Sequence, residues 1–138
     1  MAVDPAGTLL VSEPSAGRVL ALADKNGDGK ADSVQTVVTG LDQPHGLAFR
    51  EGALYVAETS RVQRFAYDPA TMKATRGTVL ARLPSGGGHW TRTVVFGPDG
   101  RMYASDPDSQ QAYEYFPSFF LPEYQESGTR TQTSNSSK

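Results

Sequence analysis

Short apolar runs separated by polar turns follow one another along the chain. Segments such as Leu54–Val56 and Met102–Tyr103 carry the β-branched or aromatic residues that suit a packed, pleated surface, and similar runs occupy Val34–Val38 and Thr78–Leu83. No segment combines a sustained helical period with capping residues. The pattern therefore predicts an all-β chain.

The same hairpin pattern occurs three times. In each copy a short apolar strand runs into a glycine-containing turn, and a second strand leaves it. The turn glycines Gly7, Gly52 and Gly100 are spaced 45 and 48 residues apart. A unit of about four short antiparallel strands with this period matches the blade of a β-propeller, whose repeats run roughly 40–50 residues. The predicted blades cover residues of about 1–44, 45–88 and 89–122.

Three blades do not close a propeller ring, which has typically about four to eight. The sequence therefore predicts a propeller fragment with two open flanks. Either the missing blades belong to a longer chain, or two copies form a six-bladed ring by dimerisation. Residues 123–138 are polar, rich in Ser and Thr and without period, and they are predicted to form a disordered tail.

Composition excludes several classes of function. The 138 residues include 13 basic and 15 acidic side chains, so a net charge of −2 gives no strong attraction to nucleic acid or to an anionic membrane. No apolar run approaches the roughly 20 residues that span a bilayer. The absence of cysteine excludes disulfides, thiolate metal sites and a cysteine nucleophile. Residues 1–5 do not resemble a secretory signal, and the composition leaves the compartment open.

One loop has the spacing of a calcium site. Oxygen donors occupy loop positions 1, 3, 5 and 9, and Gly29 stands at position 6, where a sharp turn is required. The flanks are predicted strands, and position 12 is Gln35 where an EF-hand has Glu. The alternative is a metal-free turn, because the same residue types favour turns. The candidate ligands are Asp24, Asn26, Asp28 and Asp32.

A glycine-rich segment delivers the second candidate site. Three glycines precede His89 at the start of the third predicted blade, and Arg92 follows three residues later. A histidine can take up a proton near neutral pH, and an arginine can fix an anionic cofactor or an alkoxide. By spacing alone, a structural histidine lining the channel is as good an interpretation. His45 stands at the matching position of the second blade and is expected to line the same channel.

Eight short motifs occur in order between residues 27 and 100. They are Gly27–Asp32, Val37–Leu41, Gln43–Phe49, Leu54–Val56, Arg61–Val62, Leu83–Pro84, Gly88–Thr93 and Phe96–Gly100. Together these motifs resemble the soluble PQQ-dependent sugar dehydrogenases, particularly the sorbosone dehydrogenase-like group. The resemblance runs from residue 2 to about 104 and covers the N-terminal part of that family.

The resemblance implies a fold, a chemistry and a place for two residues. That family forms a six-bladed propeller with pyrroloquinoline quinone (PQQ) over the channel mouth and calcium beside it. His89 would match the general base that takes the sugar hydroxyl proton while hydride passes to the quinone, and Arg92 would lie near that site. A sugar or other small molecule is the implied ligand, and relatives are usually periplasmic or secreted.

Two departures limit what the resemblance implies. Ala104–Asp108 stands where the family has a Gly-Ser-x-Cys-Asn-like loop. Much of the family's calcium and quinone coordination comes from later blades, and the Asp24–Asp32 loop is a peripheral hairpin that does not match the catalytic calcium site. We therefore expect a partial PQQ-dependent dehydrogenase-like propeller. The alternatives are a non-catalytic binding module and a truncated product without its own activity.

Overall fold

Antiparallel β-sheets make up the regular structure of the chain. A computed structural model describes residues 1–85, 88–106, 111–115 and 131–134, and within these ranges it contains strands and no helix. The first sheet comprises β1 (Ala2–Val3), β2 (Leu9–Glu13), β3 (Arg18–Ala23) and β4 (Ser33–Val38). The second comprises β5 (Gly46–Arg50), β6 (Ala53–Ala57), β7 (Arg61–Asp68) and β8 (Lys73–Arg82). The third comprises β9 (Thr93–Phe96), β10 (Met102–Asp106), β11 (Gln111–Tyr115) and β12 (Thr131–Ser134).

Each sheet has four strands in chain order, all paired antiparallel, as in a propeller blade. The first strands of neighbouring sheets lie against each other, β1 against β5 and β5 against β9. We call β1, β5 and β9 the inner strands. The described chain is thus a β-propeller fragment of three adjacent blades, and the all-β prediction is confirmed.

The repeated hairpin turns have the backbone that the sequence predicts. Gly7, Gly52 and Gly100 have φ angles of 89°, 76° and 81°. This left-handed region is open to glycine and strained for most other residues. The turn joins the first two strands of every blade, so the repeat seen in the sequence is a repeat of this hairpin.

The core lies between blades, and the middle blade contributes to both interfaces. All five residues of β6 are buried. Because side chains alternate across a strand, Leu54 and Val56 pack toward the first blade, whereas Tyr55 and its odd-numbered neighbours pack toward the third. Each face buries apolar area that a single blade would expose, so the blades stabilise one another.

A buried polar contact joins the first two blades. The Tyr67 hydroxyl donates a hydrogen bond to Asp4 Oδ2 at 2.7 Å, and both residues are buried. Asp4 Oδ1 also accepts the backbone N–H groups of Ala6 at 2.9 Å and Thr8 at 2.8 Å. Burial, followed by the Asp4 carboxylate, raises the pKa of Tyr67 above its ordinary value of 10.0. The tyrosine therefore fixes the β1–β2 turn of one blade to the third strand of the next.

The third blade extends further along the chain than predicted. Thr131–Ser134, placed by sequence in a disordered tail, pairs antiparallel with β11 as the outer strand β12. An outer strand is held by its backbone ladder on one side, so the apolar alternation that marks a buried strand is not required. The other residues of 123–138 lie outside the described ranges. Over the described residues, no helix has the length and hydrophobicity needed to cross a membrane.

Candidate functional site

A cavity opens where the inner strands begin. It has a volume of about 480 Å³, and all three blades contribute to its wall. Its polar side chains are Ser12 from the first blade, His45 from the second and Thr93 from the third. We call it the three-blade cavity. The remainder of its lining includes Val11, Gly46, Leu47, Val94 and Val95.

His45 connects the three blades at this cavity. Its Nδ1 lies 3.0 Å from the backbone oxygen of Arg92, and because a carbonyl only accepts, Nδ1 must carry the hydrogen. The Ser12 hydroxyl donates to the backbone oxygen of His45 at 2.8 Å. The imidazole also meets the Trp90 indole edge-on, with centroids 5.9 Å apart. His45 therefore lines the cavity, as expected from sequence, and links one inner strand to the next.

Gly46 permits the close approach of β5 to the start of β9. A Cβ atom at this position would lie 2.7 Å from the Arg92 oxygen, 2.9 Å from the Thr93 Cα and 2.9 Å from the Val94 nitrogen. These are backbone atoms that cannot rotate away. The glycine in the motif Gln43–Phe49 is thus required by packing at the His45 contact.

Arg92 faces the protein backbone. Its side chain is almost fully buried, with 1% of the residue exposed. Nη1 donates to the carbonyl oxygens of His89 at 3.0 Å and Thr91 at 2.9 Å, and Nη2 donates to that of Pro84 at 2.9 Å. The sequence predicts that this guanidinium fixes an anionic cofactor or an alkoxide, whereas these three hydrogen bonds go to backbone carbonyls. These carbonyls lie in the irregular segment between β8 and β9, and Arg92 supplies donors to them.

His89 lies at the surface in the segment that leads into β9. It is exposed, four residues before the first residue of that strand, and its backbone oxygen is one of the acceptors of Arg92. Trp90 follows it, and the Trp90 oxygen accepts a hydrogen bond from the Thr59 hydroxyl at 3.3 Å. The structure thus brings His89 and Arg92 into one segment and gives them different surroundings.

A buried carboxylate near this end of the second blade was not predicted. Glu58 is fully buried and accepts the backbone N–H of Asp42, Arg61 Nε and Gln63 Nε2, each at 2.8 Å. The hydrogen bond that Arg61 donates to Glu58 raises the pKa of Arg61. The sequence carries a signal for this pair, because a glutamate is followed by an arginine at the same point of both repeats, as Glu13 and Arg18 and as Glu58 and Arg61. Glu13 and Arg18 also form an ion pair in the first blade.

The predicted calcium ligands lie in the loop that joins β3 to β4, at the end of the first blade opposite the three-blade cavity. Asp24 accepts the backbone N–H groups of Gly27 at 2.7 Å and Gly29 at 2.8 Å, and the Gly29 hydrogen bond is the main cause of the lowered pKa of Asp24. Asp32 accepts the N–H of Lys25 at 2.6 Å.

The other two candidates, Asn26 and Asp28, bond to each other and to loop amides. Asp28 Oδ1 accepts the N–H of Lys30 at 2.8 Å, and Asn26 Oδ1 accepts the N–H of Asp28 at 3.1 Å. Within the described residues, no three histidine or acidic side chains are grouped so that they could hold a metal ion. In the described loop, side-chain oxygens of all four candidates accept loop amides, and calcium binding by this loop stays a prediction from sequence.

Comparison with known proteins agrees with this architecture. Residues 1–103 match the family model described as TrAA12-like. The calcium structure of Trichoderma reesei Carbohydrate-Active Enzymes Family AA12 is 21% identical with a TM-score of 0.72, covering 88% of this chain and 35% of that one. The iodide structure of Trichoderma reesei Carbohydrate-Active Enzymes Family AA12 is 22% identical with a TM-score of 0.67, and the match covers 83% of this chain and 34% of that one. The holo form of the pyranose dehydrogenase PQQ domain from Coprinopsis cinerea is 24% identical with a TM-score of 0.67, and the match covers 83% of this chain and 32% of that one.

These similarities concern part of a larger fold. The chain spans about a third of the length of the solved structures, and at these identities the likeness shows the fold alone. No curated protein matches the chain. The family match covers most of the sequence and confirms the resemblance drawn from its motifs. The chain belongs to the TrAA12-like family and has the propeller fold of PQQ-dependent oxidoreductase domains.

Proposed function

We propose that this chain supplies part of the active site of a PQQ-dependent oxidoreductase that oxidises a sugar hydroxyl, with His89 as the base. The observation that carries the proposal is the position of His89. His89 is an exposed residue on the segment that enters β9, and that segment leads to Thr93 in the wall of the three-blade cavity. The family match supports the class of chemistry.

The polar groups around the cavity fit hydroxyl binding and proton transfer. Ser12, His45 and Thr93 offer neutral hydrogen-bonding groups, and His89 can take up a proton near neutral pH. General-base catalysis of this kind contributes typically 10²–10⁴-fold to a rate. Loss of His89 should therefore reduce turnover by a similar factor.

The same groups do not fit the holding of PQQ. This cofactor is a carboxylate-bearing quinone, and carboxylates are bound by arginine forks or other cationic donors. Near the cavity, Arg92 donates to backbone carbonyls, and the described residues that line the cavity include no arginine or lysine. We therefore assign the groups that hold PQQ and its calcium to blades beyond this chain.

Completion of the ring is part of the proposal. Three adjacent blades form half of a six-bladed ring, and their open flanks would be covered by the remainder of a longer chain or by a second copy. A six-bladed dimer predicts a sedimentation mass of twice 14.8 kDa. A monomer that unfolds cooperatively would contradict the dimer.

A second function is a propeller module that binds a sugar without turnover. It is favoured by the cavity, which combines neutral polar groups with an apolar wall and lacks, in the described part of the chain, a cationic cofactor holder. Binding of aldoses without any change in quinone absorbance would support this alternative.

The two functions are separated by one assay. A longer chain that carries the missing blades is mixed with PQQ, calcium and a panel of aldoses, and quinone absorbance and reduction of an electron-accepting dye are recorded. Dye reduction that is lost in His89→Ala and kept in Lys73→Ala supports the oxidoreductase, since Lys73 is an exposed residue at the start of the outer strand of the second blade. Turnover retained in His89→Ala removes His89 from the mechanism.

A further inference from the structure

We propose that Arg92 and His45 are positioning residues that hold the His89 segment (residues 88–92) in place. Arg92 acts as a clamp on backbone carbonyls, and His45 anchors Arg92 to the second blade. The inference rests on the proposed function in giving His89 the role of base. The clamp itself is a property of the apo chain and can be tested without cofactor.

The guanidinium bridges two parts of the connection between β8 and β9. One side reaches Pro84, which follows the second blade, and the other reaches His89 and Thr91, which precede the third. Pro84 and His89 flank a run of three glycines, whose backbone is intrinsically permissive. A planar fork places its donors on two separate terminal nitrogens and so reaches the carbonyls on both sides at once, whereas an ammonium group must offer its three donors from a single nitrogen.

His45 fixes the backbone of the clamp. Its Nδ1–H donates to the Arg92 oxygen at 3.0 Å, so the main chain of Arg92 is bound to the second blade while its side chain binds the His89 segment. Ser12 in turn donates to the His45 oxygen. A continuous set of hydrogen bonds therefore runs from the first blade to the backbone of His89.

This geometry gives the arginine a role different from anion binding. If Arg92 acted through charge alone, a lysine would replace it, because lysine keeps the positive charge. If Arg92 acts through its fork, lysine should fail as glutamine does. The pair Arg92→Lys and Arg92→Gln therefore separates the two roles.

Trp90 is a built-in reporter of the clamp. It is the only tryptophan of the chain, it lies between two residues whose carbonyls Arg92 binds, and it contacts the His45 ring. Trp90 is 39% exposed, so complete release of the segment could raise its exposure up to about 2.5-fold. Acrylamide quenching and fluorescence anisotropy of the apo protein measure this release.

We expect Arg92→Lys and Arg92→Gln to raise the quenching constant alike, toward that limit, and to lower the anisotropy of Trp90. The control Arg82→Lys changes an exposed arginine at the end of β8 and should leave both values unchanged. Urea unfolding of each variant separates a loosened segment in a folded chain from a loss of the fold. An Arg92→Lys protein that quenches like the wild type overturns the clamp.

His45→Phe keeps the proposal testable if the Arg92 variants do not fold. Phenylalanine retains a ring beside Trp90 and removes the Nδ1–H donor. We expect increased quenching of Trp90, and unchanged quenching in a folded His45→Phe protein overturns the anchoring role. These outcomes do not depend on turnover, so loss of the clamp and failure of His89 as the base remain distinguishable.

Discussion

The Tyr67–Asp4 hydrogen bond gives the sharpest prediction of blade-to-blade stability. Tyr67→Phe removes one hydroxyl and keeps the ring that packs edge-on against Phe49, with centroids 5.0 Å apart. Asp4 retains its two amide donors on Oδ1, and Oδ2 loses its tyrosine partner in a site where Asp4 is 4% exposed. Hydrogen bonds to charged groups contribute about 1.5–3 kcal/mol, so we expect a loss of about 2 kcal/mol.

Urea denaturation followed by circular dichroism measures this loss. With a slope of about 1–3 kcal/mol/M for small proteins, a loss of about 2 kcal/mol lowers the midpoint by roughly 1 M. The slope itself should not change, because the variant buries the same apolar surface. The measurement is made near pH 7, where the raised pKa of Tyr67 keeps its hydroxyl protonated.

Tyr103→Phe is the matched control. Its hydroxyl donates to Asp99 Oδ2 at 3.2 Å in an exposed hairpin of a single blade. Substitutions at such surface sites usually change stability by less than about 0.5 kcal/mol. If Tyr67→Phe costs no more than Tyr103→Phe, the buried contact does not hold the two blades together and the reasoning is refuted.

Three further predictions follow from the geometry. Gly46→Ala should lower the free energy of unfolding in urea by about 1–3 kcal/mol, because its Cβ would meet backbone atoms at the start of β9. Gly88→Ala, with open space around it, should leave that free energy unchanged. Equal effects of the two substitutions would contradict the close approach. Because the pKa of Tyr67 is raised in the folded chain, the unfolded chain loses the hydroxyl proton at a lower pH than the folded chain does. The free energy of unfolding should therefore fall as pH rises above about 10, and it should fall less steeply in Tyr67→Phe. Identical pH profiles for the two proteins would oppose this. Calcium titration should give no saturable heat, because Asp24 and Asp32 already accept loop amides; heat that disappears in Asp28→Ala would contradict the metal-free loop.

The parts of the fold that repeat were predictable from sequence. Each blade needs a tight hairpin with a positive φ angle, so Gly7, Gly52 and Gly100 mark the period in the sequence itself. The apolar runs followed from two-sided burial, which is most complete in β6. Thr131–Ser134 was missed because an outer polar strand has no apolar pattern and depends on its pairing with β11.

The site was predictable in position but not in its contacts. His45, His89 and Arg92 were all located near the inner strands by repeat position. The acceptors of Arg92 are backbone carbonyls, which every residue possesses, so no residue type in the sequence identifies them. The Tyr67–Asp4 bond joins residues 63 positions apart and likewise has no local signal.

The tautomer of His45 is the most direct test of the account, because its Nδ1 contact joins the second blade to the third. Nitrogen-15 NMR of the imidazoles distinguishes the two tautomers, and the His89→Gln variant assigns the two histidines of the chain. We expect neutral His45 to carry its proton on Nδ1 and to leave Nε2 unprotonated. A neutral His45 protonated on Nε2 would contradict it.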